Sequence, residues 1–316
     1  MTRSAAPVPT PAPTATTPTA TTPTPGRTPS QLGPVGLVFT AGVSVQFGAA
    51  LAVMIMPRAG AAGVVALRLA AAAVVLLLIC RPKIRGYARS DWGTILAFGA
   101  AMAGMNGLFY QAIDRIPLGP AVTLEVLGPL ALSVIVSRRL VNLLWAALAL
   151  GGVVLLSGHG GDGGGFGFGG LDPAGAAFAL GAGAMWAAYI VFSARTGRRF
   201  PQADGLALAM AVAAVLSLPL GIAEAGSALL VPGTLALGVG VAVLSSVLPY
   251  TLELLALRRM AAPTFAILMS LEPAIAATAG FLVLNQAMGV TDAFAIALVI
   301  AASMGAVRSQ TRKRAG

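Results

Sequence analysis

Apolar segments near the length of a membrane crossing follow one another almost without pause from residue 32 to residue 307. A hydrocarbon core about 30 Å thick is crossed by roughly 20 mostly apolar residues of helix. The pattern places such spans at 32–54, 60–80, 92–111, 118–137, 140–157, 173–194, 205–223, 233–257, 262–284 and 289–307. Apart from Asp292 in the first turn of the last, only four charged side chains fall inside them: Arg68, Glu125, Glu253 and Glu272. Lipid offers main-chain groups no partners, so segments of this kind must satisfy their own hydrogen bonds as helices. With 57% hydrophobic residues, 9% charged residues and a mean hydropathy of +0.88, the chain lies far from soluble domains. The expected fold class is an all-α membrane protein with ten transmembrane helices.

The formal charge of +10 and the sequence pI of 11.2 invite a nucleic-acid reading, which the placement of the basic residues rejects. Lys and Arg gather in alternate connections, as the positive-inside rule requires. With the N-terminus in the cytoplasm, that side collects Arg3 and Arg27, the run Arg81 to Arg89, Arg138 and Arg139, Arg195 to Arg199, Arg258 and Arg259, and Arg308 to Arg314. Only Arg58, Arg68 and Arg115 lie elsewhere. Both termini are therefore expected in the cytoplasm. No soluble module carries the basic patch and aromatics of a nucleic-acid surface.

Residues 1–31 form a Pro/Thr/Ala tract without an apolar core and read as a disordered cytoplasmic tail, not a signal peptide. Residues 308–316 read as a basic cytoplasmic tail, and the Gly-rich stretch 158–171 as an external linker. That stretch lacks the Lys-Ser/Thr ending of a phosphate-binding loop. The single cysteine, Cys80, cannot form a disulfide within the chain, and the single histidine, His159, has no companions for a metal site. No cofactor or metal is expected.

The linker separates two similar halves, 32–157 and 172–307. Gly33-Pro34-Val35-Gly36 opens the first and Asp172-Pro173-Ala174-Gly175 the second. Small residues recur every fourth position at Gly36, Thr40, Ser44 and Gly48, and again at Gly175, Ala179, Gly183 and Ala187, a spacing that lets helix backbones approach. Further along, at a shift of 144 positions, Gln111 to Gly119 aligns with Leu255 to Pro263, and Gly128-Pro129 with Glu272-Pro273. Five spans per half is an odd number, so the second half enters the membrane upside down relative to the first. Such inverted repeats mark alternating-access transporters, with solute sites near the midplane where the halves meet.

A charge in the middle of a membrane helix costs roughly 2.5–3.5 kcal/mol on insertion scales, and such residues face a cavity or a partner. Arg68 and Glu125 sit at similar depth from the outer ends of spans two and four. Their pairing has two readings, an ion pair that fixes helix register or a solute and proton site. Glu272, just before Pro273, either lines the pathway or locks a neighbouring helix. Glu253 lies close to Arg258 and Arg259 and has an interfacial reading as well as a functional one. Asn106 and Tyr110 share a face of span three, and Tyr250 occupies the repeat-equivalent position of Asn106, just after Pro249. Gln46 in span one, with Trp186 and Tyr189 in span six, adds a donor and an aromatic wall. Packing accounts for each of these uncharged residues alone, whereas together they outline a cavity built from both halves.

These residues carry a family resemblance. Ala66-Leu67-Arg68-Leu69, Asn106 to Tyr110, Ile116 to Glu125 with Gly128-Pro129-Leu130, Leu248 to Glu253 and Met269 to Ala274 resemble the EamA-type drug/metabolite transporter superfamily, most of all its threonine/homoserine exporter branch. The resemblance covers residues 32–307. It implies two inverted five-helix repeats, the bacterial inner membrane, and export of small amino acids or related metabolites in exchange for protons. Glu125 is the first candidate for the coupling carboxylate and Glu272 the second, with Arg68, Asn106 and Tyr250 positioning solute. One departure is visible: Leu284-Asn285-Gln286 stands where such proteins often carry Leu-Gly-Glu, removing an outer-side charge. The partners implied are a small-molecule solute, protons and the lipid bilayer, and a homodimer is compatible with the pattern. An exporter of lipophilic cations on the same fold is the alternative. Catalytic groups for an intramembrane enzyme are missing from the ten spans.

Overall fold

The computed structural model describes residues 32–82, 84, 86–137, 144–145, 147–149, 151–152, 155, 171–200, 204–257, 259, 265 and 268–314. The expected tail at 1–31, nearly all of the linker and most of span five lie outside the described residues. Among the described residues every regular element is helical. In chain order they are α1 (Leu32–Cys80), α2 (Arg89–Ile113), α3 (Leu118–Glu125), α4 (Leu127–Ser137), α5 (Pro173–Arg199), α6 (Asp204–Ala225) followed by a 3-10 turn (Gly226–Leu230), α7 (Pro232–Ala242), a π-helical turn (Val243–Val247), α8 (Leu248–Leu257), α9 (Glu272–Leu284) and α10 (Val290–Arg314). Five stretches are long and apolar enough to cross a membrane: Gly33–Cys80, Arg89–Ile113, Pro173–Arg199, Asp204–Leu230 and Pro232–Glu253.

The 49 residues of α1 would measure about 74 Å as a straight helix at ~1.5 Å per residue, more than twice a hydrocarbon core. The element is not straight. Pro57 lies within it, and Gly60 takes φ 64° and ψ 170°, a conformation that a side chain would resist. Ser44 bonds to Leu244 while Arg68 bonds to Ser245 and Ser246. A straight helix would hold positions 44 and 68 about 36 Å apart, so the chain doubles back at Pro57–Gly60 into two arms. Glu224 at the end of α6 steadies this bend. Its carboxylate accepts the Ala62 N–H at 2.6 Å, one of the donors that a new helix start leaves unpaired.

The second arm packs along α6, where Gly63 meets Ala225 and Gly221 meets Ala66. The first arm lies against the π turn and α9. Helix α2 runs beside α5 and α6, α3 packs between α5 and α9, and α4 rests on α5 and α10. Asp172 caps α5 by accepting the N–H groups of Ala174 and Gly175, with Pro173 at the first helical position.

The expected close approaches are made at some small residues and not at others. A methyl on Gly183 would stand 2.5 Å from the Glu125 carbonyl oxygen, and one on Gly128 would overlap the Gly183 carbonyl. Gly48 meets Leu244 and Ser245, whereas Gly36 has open space around it. Span four is interrupted at Val126, and span nine turns at Ser270 and Leu271 before α9 begins. The Leu-Asn-Gln departure also acquires a role. Asn285 closes α9 in the left-handed conformation, φ 52°, which asparagine tolerates. The Gln286 side-chain oxygen accepts the Leu118 N–H at 3.0 Å and so caps α3.

Two outcomes follow from this packing. Gly183→Ala lowers the stability of the purified protein by about 1–3 kcal/mol through overpacking, while Gly36→Ala leaves it unchanged; thermal unfolding in detergent reads both, and equal midpoints would contradict the contact. Gln286→Ala costs about 0.5–2 kcal/mol as a lost cap, and Gln286→Glu, which keeps an acceptor, retains most of it in the same assay.

Candidate functional site

The site is built around two main-chain carbonyls that helix geometry leaves without donors. In the π turn the Leu248 N–H donates to Val243 and not to Leu244, so the Leu244 carbonyl loses its helical partner. Pro249 has no N–H, and the carbonyl four residues before it, that of Ser245, loses its partner as well. Both are taken by the first half of the chain. The Ser44 hydroxyl donates to the Leu244 carbonyl at 2.6 Å, and the Arg68 guanidinium donates to that of Ser245 at 3.4 Å.

Arg68 makes further contacts from its buried position on the second arm of α1. Its Nε–H donates to the Ser246 hydroxyl at 3.3 Å, and a terminal N–H donates to the Tyr110 hydroxyl at 3.0 Å. Its Cζ lies 5.4 Å from the Tyr110 ring centroid, within cation–π range. Tyr110 is fully enclosed and meets the Phe109 ring edge-on. One guanidinium thus joins α1, α2 and the π turn, and its charge also acts on Glu125.

The acids converge from broken helices. Glu125 is the buried last residue of α3, and Pro129 denies its carbonyl a helical donor. Glu272 is the buried first residue of α9, directly after the turn. The breaks at Val126 and Ser270 lie 144 positions apart, the shift at which the two sequence stretches align, and α3 and α9 pack on each other. The charges of Glu125 and of Glu253, which is half-buried in α8, act on Glu272. All four charges singled out in the sequence therefore belong to one electrostatic network drawn from α1, α3, α8 and α9.

The uncharged candidates divide. Tyr110 is in the network through Arg68. Asn106 is buried, and its amide donates to the Met102 carbonyl of its own helix at 2.8 Å. Gln46 is buried with its side-chain oxygen unpaired among the described residues. Trp186 packs partly buried against the apolar core, and Tyr189 meets the Phe98 ring at 5.2 Å. Tyr250 belongs to α8, and its side chain lies outside the described residues. Sequence reasoning missed Ser44, Ser245 and Ser246. The signal for Ser245 was legible as a serine four residues before a proline in an apolar span.

The chain is similar to known membrane transporters. The EamA-like transporter family matches residues 173–308. The threonine/homoserine exporter RhtA of Salmonella typhimurium (strain SL1344) is 41% identical over 280 residues, which is 89% of this chain and 93% of that protein. The exporter of the same name from Escherichia coli (strain K12) is 40% identical over 272 residues, 86% and 90% of the two chains. A crystal structure at 19% identity superposes with a TM-score of 0.59, covering 90% of this chain and 99% of that one, a likeness of fold. With two-fifths of its residues shared along nearly its whole length, the chain belongs to the EamA-like transporter family.

Proposed function

We propose that the protein exports threonine, homoserine or similarly small amino acids across the bacterial inner membrane by proton antiport with alternating access. The observation that carries this reading is the buried Arg68 guanidinium of the first half tied to the Ser245–Ser246 turn of the second, with Glu125 and Glu272 buried in the packed pair α3 and α9. The names of the relatives supply the solute class. A zwitterionic amino acid offers an ammonium for the carboxylates and a carboxylate for the guanidinium. Glu125 is the first choice for the proton-carrying carboxylate and Glu272 the second. Asn106 and Tyr250 flank the solute as secondary contacts.

The architecture proposed with it is ten spans in two inverted repeats, residues 32–157 and 172–307, joined by an external linker. The pattern of helix neighbours supports this reading because it maps onto itself when the halves are exchanged. The contact of α2 with α5 becomes that of the π turn with the first arm of α1. The contact of α4 with α5 becomes that of α9 with the first arm, where Gly42 meets Ile275. The contact of α2 with α6 becomes that of α7 with the second arm, where Gly238 meets Leu67. Sidedness is supported by contacts among segment ends. Arg199 pairs with Asp91 at 3.1 Å and Phe200 meets Tyr87, and all four are assigned to the cytoplasmic face. Glu224 with Ala62, and Gln286 with Leu118, join ends assigned to the outer face.

A second reading, export of lipophilic cations, draws on the three acids set against one guanidinium. Flux in proteoliposomes separates the two. Labelled threonine or homoserine moves with an imposed proton gradient, an excess of unlabelled homoserine slows it, and an aromatic cation does not. Glu125→Gln reduces gradient-driven flux about 100-fold or more, in the range for loss of a proton-transfer group, while the protein still elutes as a folded species. Undiminished flux in that variant would remove Glu125 from the mechanism, and a folded wild-type protein that moves no amino acid would remove the solute assignment.

A further inference from the structure

We propose that Pro249 is a positioning residue for Arg68, acting through the Ser245 carbonyl that it deprives of a helical donor, and that the π turn it follows is the joint through which the charge network is coupled to the second half of the chain. The inference rests on the transport reading for its consequence but not for its geometry.

A proline inside a membrane helix leaves one carbonyl to be satisfied by a neighbour. Here that carbonyl meets the guanidinium at 3.4 Å, and the hydroxyl of the next residue, Ser246, accepts the Nε–H at 3.3 Å. Both acceptors come from the same turn and hold adjacent edges of one planar fork, whose rigidity transmits their position to the charge. The π register adds a second tie, since the Leu244 carbonyl is taken by Ser44 on the first arm. Beside its own bond from Leu248 to Val243, the turn is therefore tied from outside by both arms of α1. Such single-turn π elements recur at functional sites. If the turn slips to regular α-helical register, Leu244 recovers its internal partner and the Ser44 tie is lost. Motion of the second half relative to α1 thus exchanges an external bond for an internal one while the Leu244 carbonyl stays paired in both registers.

The test restores the missing donor. Pro249→Ala gives the Ser245 carbonyl an N–H from its own helix, and Arg68→Lys removes the planar fork while keeping the charge. Amide hydrogen exchange of the full-length protein in detergent, followed over residues 243–248, reads the joint directly. Arg68→Lys accelerates exchange there about tenfold in the presence of Pro249, the scale of one charge-assisted hydrogen bond, and less than about twofold in the Pro249→Ala background. Ser246→Ala, which leaves the charge untouched, gives a smaller acceleration with the same dependence on Pro249. Threonine export by Pro249→Ala falls in maximal rate more than in half-saturating concentration, and adding Arg68→Lys lowers it by less than the product of the two single effects. Equal acceleration in both backgrounds would overturn the proposal, as would wild-type export by Pro249→Ala. Should the wild-type protein move no threonine, the solute assignment fails while the exchange result still decides the joint.

Discussion

A helix in lipid gives up a main-chain hydrogen bond only where another group takes its place, and much of this fold follows from where that happens. The second half yields two adjacent carbonyls, at Leu244 by a π register and at Ser245 by Pro249, and the first half supplies their donors from Ser44 and Arg68. The two arms of α1 reach the same turn only because the chain reverses at Gly60. Breaks at Val126 and Ser270, before Pro129 and Pro273, interrupt two helices that pack on each other. At Pro249 the released carbonyl is that of Ser245, and the Arg68 guanidinium from another segment answers it. Hydrophobic contact does little to hold helices together in a lipid solvent, so such polar ties and the close backbone approach at Gly128 and Gly183 carry the specificity of assembly.

Hydropathy made the helical class legible, because main-chain bonding in lipid leaves one local solution. The small-residue spacing also pointed to close approaches, yet only packing separates Gly183, where a methyl would strike a neighbouring carbonyl, from Gly36, where it would meet open space. The charges were legible as a set since each is costly where it stands. Their grouping was not, because a residue's direction in a broken helix depends on the break, and Glu253 reads as near-interfacial until α8 is placed beyond the π turn. The Pro249–Ser245 relation follows from counting four residues back. The π register at Leu244 does not, since its stabilising partner, Ser44, lies two hundred positions away. Nor does the sequence show that the buried Asn106 amide donates to the Met102 carbonyl of its own helix.

The network's imbalance of charge bears on how it works. Arg68 acts on Glu125, Glu125 and Glu253 act on Glu272, and three ionised carboxylates so linked would repel one another in a medium that screens them poorly. The bilayer therefore favours states in which protons or a solute ammonium reduce that excess. In the proposed cycle the two are alternatives: an amino acid brings one ammonium and one carboxylate, and a proton brings the same positive charge without a carboxylate. Exchange then follows from competition for the same negative sites, with no separate proton pathway required. Because Arg68 is also the tie to the π turn, a solute carboxylate that draws on its donors competes with the Ser245 carbonyl and the Ser246 hydroxyl. In that proposed cycle, occupancy of the charge network and the contact between the halves are two uses of one side chain.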